Sequence, residues 1–133
     1  MEANELRIGN YGLNPIDNND IVQLVAIYPD ETTQWDGSNG FTPTSIGMKP
    51  IPLTEDWLKR FGFRKYKKNS NNYFSGNSEF MVQDDINSFH FFLHAEETGI
   101  KFWITEIQYV HQLQNLYFAL TGDELKIINK YIS

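Results

Sequence analysis

The chain contains no cysteine. That removes disulfides, thiolate zinc sites and cysteine nucleophiles together. It has no apolar run near the ~18 residues of a membrane-spanning helix. The start, MEANELRIGNYG, lacks the basic stretch and apolar run of a secretory leader. These absences place the protein, as an expectation, in the cytoplasm of its host cell. No Gly-rich phosphate loop is present either. GSNG at 37–40 lacks the lysine and following helix that a P-loop needs. No Gly-x-Ser-x-Gly turn accompanies the histidines, so the usual nucleophile arrangements have no support. The paired acids at Asp30-Glu31, Asp84-Asp85, Glu96-Glu97 and Asp123-Glu124 read as solvated turns. The expectation leans to a non-enzymatic protein with no cofactor; an enzyme whose site carries no recognisable motif stays open as a further alternative.

What is there suits a folded domain. The 133 residues are 41% hydrophobic and 15% aromatic, enough to bury a core without staples. The net charge of −6 argues against general nucleic-acid binding. One segment runs the other way. Trp57 to Ser78 holds no acid and six of the eleven basic residues: Lys59, Arg60, Arg64, Lys65, Lys67 and Lys68. Taking its +6 from the net −6 leaves −12 for the remainder.

The chain reads as one α+β domain, a twisted and mostly antiparallel sheet with two helices. LRIGNYGL (6–13) and IVQLVAIY (21–28) are strands, the second central because it is apolar on both faces. The glycines at 9 and 12 suggest a bend or bulge in the first. NPIDNND (14–20) is turn chemistry. The span 29–50 is irregular, with prolines at 29, 43 and 50. A loop of that length is often functional or hides a short strand. The helix at about 54–61 is clearly marked. Thr54 is its N-cap, Glu55 and Asp56 suit the positive end of its dipole, and Gly62 stops it. Strands then follow in a meander from 63 to 109. In its last strand Ile100, Phe102 and Ile104 alternate with Lys101, Trp103, Thr105 and Ile107.

His90, His94 and Glu97 would converge on a metal if they lay on a helix. On a strand, residues four apart stand ~13 Å apart along one face. The clean alternation of Phe89, Phe91 and Leu93 with the histidines selects the strand, and with it no metal site.

Two stretches invite a functional reading. LKRFGFRKYKKNSNNYF (58–74) interleaves cations with rings, the mix by which single-strand binders hold phosphates and stack bases. The plain alternative is a core-facing pair, Phe61 and Phe63, beside a solubilising lysine turn. The second stretch is the helix at about 110–121. Val110, Leu113, Leu116, Tyr117 and Leu120 fall in one arc as its core face. His111, Gln114, Asn115 and Phe118 form another face, uncharged around one ring. That face fits a protein partner or a second copy of the chain. It could equally be covered by the same chain, for instance by the 29–50 loop.

NELRIGNY (4–11), IPLTEDWLKRFGF (51–63) and YVHQLQNLYFALTGDEL (109–125) resemble a family of small uncharacterised proteins of Bacteroides-type gut bacteria. Its members are often encoded within prophage or mobile regions. The resemblance implies a bacterial, phage-linked accessory role and carries over no catalytic residue. The leading functional expectation is a non-enzymatic interaction protein using His111, Gln114, Asn115 and Phe118. The alternative is nucleic-acid contact through Lys59 to Lys68.

Overall fold

The computed structural model describes residues 6–14, 20–29, 33–37, 40–44, 49–76, 79–86, 88–95 and 97–128, with the 40–44 stretch described by its backbone. The fold is α+β. It contains nine strands, two helices and two antiparallel sheets among the described residues. The chain divides into two compact units, one built from 1–52 with 109–124 and the other from 53–108 with 125–133.

The first unit holds a four-stranded sheet in simple order. Its strands are β1 (Tyr11–Leu13), β2 (Ile21–Ile27), β3 (Thr33–Gly37) and β4 (Gly40–Thr44). β2 is central, as its composition suggests, but it alternates. Val22 and Leu24 are buried, whereas Ile21 and Ile27 are exposed. Val22, Leu24 and Trp35 form the apolar core of this sheet, with Leu6 packed against them. Trp35 donates its ring N–H to Thr33 Oγ1 at 2.7 Å, so the buried indole leaves no unpaired donor.

The span 29–50 does hide strands: it contains the β3–β4 hairpin, with Gly37 opposite Gly40. Thr33 and Trp35 point inward in alternation, a signal hidden by the prolines and glycines around it. Pro43 lies in β4, an edge strand of this sheet among the described residues, the place in a sheet where proline is ordinarily found. The first strand is shorter than 6–13. Gly9 has φ +102°, which breaks the alternation before β1 and leaves Ile8 exposed and Asn10 buried.

α2 (Val110–Thr121) completes this unit. Gln112 Oε1 accepts the N–H of Tyr109 at 3.1 Å at its start. Gly122, at φ +78°, ends it with an N–H donated to the Phe118 carbonyl at 2.8 Å.

The second unit holds α1 (Glu55–Arg60) and a five-stranded sheet in sequential order. The strands are β5 (Arg64–Lys65), β6 (Asn72–Phe74), β7 (Phe80–Asp84), β8 (Phe89–Ala95) and β9 (Ile100–Ile107). α1 forms as its local signals require. Thr54 Oγ1 accepts the Trp57 N–H at 3.3 Å, and Gly62 takes the left-handed conformation at φ +88°. Trp57, Leu58, Phe61, Phe63, Tyr73, Phe80, Val82, Phe91 and Ile107 are buried and make the core of this unit.

The alternation along β9 is broken by a bulge. Phe91 pairs with Thr105 and Phe92 with Trp103, leaving Ile104 as the extra residue. Trp103 and Lys101 therefore share a face with Glu106, and Phe102 with Thr105 and Ile107. Without a bulge the sequence pattern groups them differently.

Candidate functional site

The register of the second sheet lines up five residues. Arg64 opposes Phe74, Phe74 opposes Met81, Met81 opposes Phe92, and Phe92 opposes Trp103. At ~4.8 Å between strands the row is about 19 Å long. A parallel row on the same face holds Asn72, Gln83, His90 and Glu106. Tyr66 extends it, since its N–H donates to the Asn72 carbonyl at 3.0 Å. On the other side His94 opposes Lys101. This is the face opposite the Phe80, Val82 and Phe91 core. Met81 alone in the row is fully covered. Phe74 and Phe92 are half-buried, and Trp103 and Tyr66 are 57% and 63% exposed.

The rings touch. Tyr66 and Phe74 meet edge to face with centroids 5.8 Å apart, and Phe74 and His94 do so at 5.0 Å. Beside them opens a concavity of about 670 Å³ lined by Arg64, Lys65, Lys101, Tyr66, Phe74 and His94 among others. No acid is among its described lining residues. A second concavity of about 690 Å³ shares Arg64 and Lys65 and is also lined by Lys59, Phe63 and Ile128. The two-residue strand β5 is thus a basic ridge between two hollows.

The six cations singled out in the sequence divide. Lys59 and Lys65 both reach Glu55, at 3.0 and 3.4 Å. Arg60 pairs with Asp56 at 3.0 Å and lies over the Trp57 ring. Lys67 sits 5.3 Å from the Tyr66 ring centre. Arg64 and Lys68 have no ion pair among the described residues. The Glu55 carboxyl is held below the usual range, chiefly by its hydrogen bond from Lys59, then by the charges of Lys59 and Lys65. It also accepts from the Tyr73 hydroxyl, tying α1 to β6. Half of the basic cluster therefore anchors the helix, and Arg64 is the member facing the ring row. Lys101, which no local pattern singles out, joins it only through strand register.

β8 is a strand, so His90 and His94 stand four residues apart along one face. They serve different neighbours. His94 packs on Phe74, whereas His90 Nδ1 accepts the Trp103 indole N–H at 3.1 Å.

The face expected on α2 is largely inside. His111 and Gln114 are 2% and 1% exposed, so neither is open to a partner in the folded chain. Gln114 Oε1 accepts the Tyr11 N–H and its Nε2 donates to the Gly9 carbonyl, both at 2.9 Å. Asn115 Oδ1 accepts from Asn10 Nδ2 at 2.7 Å. Phe118 remains 37% exposed, with the Arg7 guanidinium 4.1 Å from its ring centre. Arg7 also pairs with Glu124. These partners of Gln114, Asn115 and Phe118 come from residues 7–11 of the same chain. Conversely, Leu120, assigned to the core face by periodicity, is exposed, and Leu116 and Tyr117 are half-buried.

Comparison with protein-family models, curated proteins and solved structures finds no match to this chain. No helix among the described residues is long and apolar enough to cross a membrane.

Proposed function

We propose that the protein binds a short stretch of single-stranded nucleic acid on the open face of its five-stranded sheet. The carrying observation is the ring row flanked by a concavity whose described lining is basic and free of acid. Sheets that present two or three aromatic side chains stack that many bases, and cations beside them hold the phosphates. Trp103 and Tyr66 offer open ring faces, and Arg64 and Lys101 the charge. The acidic remainder of the chain would repel a long duplex, which limits the contact to a few nucleotides. Such a role is compatible with the mobile-element setting that the resemblance implies.

The test is a titration of labelled single-stranded DNA and RNA dodecamers at about 20 and about 200 mM salt. Binding that falls with salt, and that Lys101→Glu and Tyr66→Ala each weaken, supports the reading. No binding at the lower salt, or binding indifferent to both variants, overturns it.

Phe118 favours a second reading, in which α2 meets a protein partner or a second copy through that ring and Arg7. One half-open ring is little for an interface core, where anchors cluster. Unchanged oligomer mass and partner capture in Phe118→Ser would remove it.

A further inference from the structure

The bond between His90 and Trp103 constrains where the imidazole proton sits. The indole nitrogen can only donate. His90 Nδ1, 3.1 Å from it, must therefore be the unprotonated ring nitrogen. The neutral ring then carries its proton on Nε2. That nitrogen faces Asp85 Oδ2 at 3.3 Å, Ser88 Oγ at 3.4 Å and Glu106 Oε1 at 3.9 Å. Both ring nitrogens are satisfied in this tautomer alone.

A second proton would have to go to Nδ1. It would point at the indole N–H, donor against donor, and the bond to Trp103 would be lost. Two carboxylates stand beside the ring. Asp85 approaches from the turn before β8 and Glu106 from β9, while the register partner on β7 is the neutral Gln83. Protonation thus exchanges one neutral hydrogen bond for stronger ion pairs with two carboxylates.

We propose that His90 is a positioning residue for Trp103: its neutral form holds the indole in the ring row, and its charged form lets it go. Imidazoles ordinarily change charge between about pH 5 and pH 8. Trp103 is 57% exposed and stands at the β9 end of the row, so its release rearranges one of the two open rings of the proposed site. The consequence for nucleic-acid binding rests on that functional reading; the coupling of His90 charge to Trp103 orientation does not.

The experiment follows the indole N–H resonances of the ¹⁵N-labelled protein from about pH 8 to about pH 5. The Trp103 signal is assigned with Trp103→Phe. Its expected behaviour is a pH-dependent shift in the wild type that is absent in His90→Gln, whose side-chain oxygen accepts the indole N–H without titrating. In parallel, single-strand affinity is measured at constant salt. The ratio of His90→Gln to wild-type affinity should rise about two- to tenfold on acidification, the weight of one neutral hydrogen bond. Comparing against His90→Gln removes the contribution of His94, which also borders the site. A Trp103 signal that stays still, or that shifts equally in His90→Gln, overturns the proposal. A shift as expected, with no oligonucleotide bound at any pH, supports the coupling and removes the nucleic-acid reading alone.

Discussion

The Gln114 side chain stands against Tyr11 as a neighbouring strand would, taking its backbone N–H at 2.9 Å while giving an N–H to the Gly9 carbonyl next along. A helix side chain thereby completes the edge of a sheet. Its burial is a requirement of the backbone it serves, since an unpaired buried peptide group costs about 1–3 kcal/mol. Gln114→Leu should accordingly lose about 1–3 kcal/mol in urea denaturation. The Gly9 carbonyl keeps Gln23 Nε2 at 3.1 Å, so the loss falls mainly on the Tyr11 N–H.

Two constraints of unequal weight act on Gly62. Its φ is +88°, and a Cβ there would come 2.5 Å from Ile128 Cδ1. Gly62→Ala should cost about 1–2 kcal/mol, chiefly for the left-handed backbone, because the Ile128 terminal methyl can turn aside. Ile128→Ala added to it should therefore recover little of that cost. A double-mutant cycle by thermal or chemical denaturation checks this.

Ile86 is the converse case. It is 94% exposed at φ +61°, a poor conformation for a β-branched residue. Ile86→Asn should raise stability by about 1 kcal/mol, because asparagine accepts the left-handed region. An unchanged or lower denaturation midpoint would count against strain at this turn.

Alkaline pH should weaken the second unit through Tyr73. Burial, then the Glu55 carboxylate to which it donates, pushes its hydroxyl up to about 12. An unfolded tyrosine ionises near 10. The contribution is therefore complete below about pH 10 and disappears between about 10 and 12, at most about 2–3 kcal/mol. Tyr73→Phe should flatten this part of the stability profile measured by denaturation against pH. Glu55 acts in the other direction: its lowered carboxyl supports the fold above the ordinary carboxylate range and ceases to as acid protonates it.

Within the proposed site, Arg64→Ala should reduce the salt dependence of single-strand binding by about one charge. Trp103→Ala should lower affinity at every salt concentration by about 1–3 kcal/mol without changing that slope. The reverse assignment, a salt effect at Trp103 and none at Arg64, would contradict the division between phosphate and base contacts.

Elements with local signals were legible in the sequence. α1 announces itself through Thr54, its acidic first turn and Gly62, all within nine residues. The histidines of β8 alternate with Phe89, Phe91 and Leu93 strictly enough to mark a strand. Elements whose logic is long-range were not. On α2 periodicity ranks residues by apolarity, so it does not show that Gln114 is buried for its hydrogen bonds. The β3–β4 hairpin was obscured by turn residues. The site shows the same limit. The basic run was visible, but the pairing of Arg64 with Phe74 and of His94 with Lys101 depends on register. The bulge at Ile104, which sets Glu106 rather than Thr105 opposite His90, leaves no trace in alternation.

Gln114 lies more than a hundred residues after the strand edge it completes, at separations of 103 and 105. A ribosome makes the N-terminal segment first. Until Gln114 has been made, Tyr11 presents its N–H with no helix to receive it, and water must serve instead. The first unit is consequently a structure that the growing chain can begin early and can close only after α2 has been made. Its last step is the slow kind, a contact between distant parts of one chain.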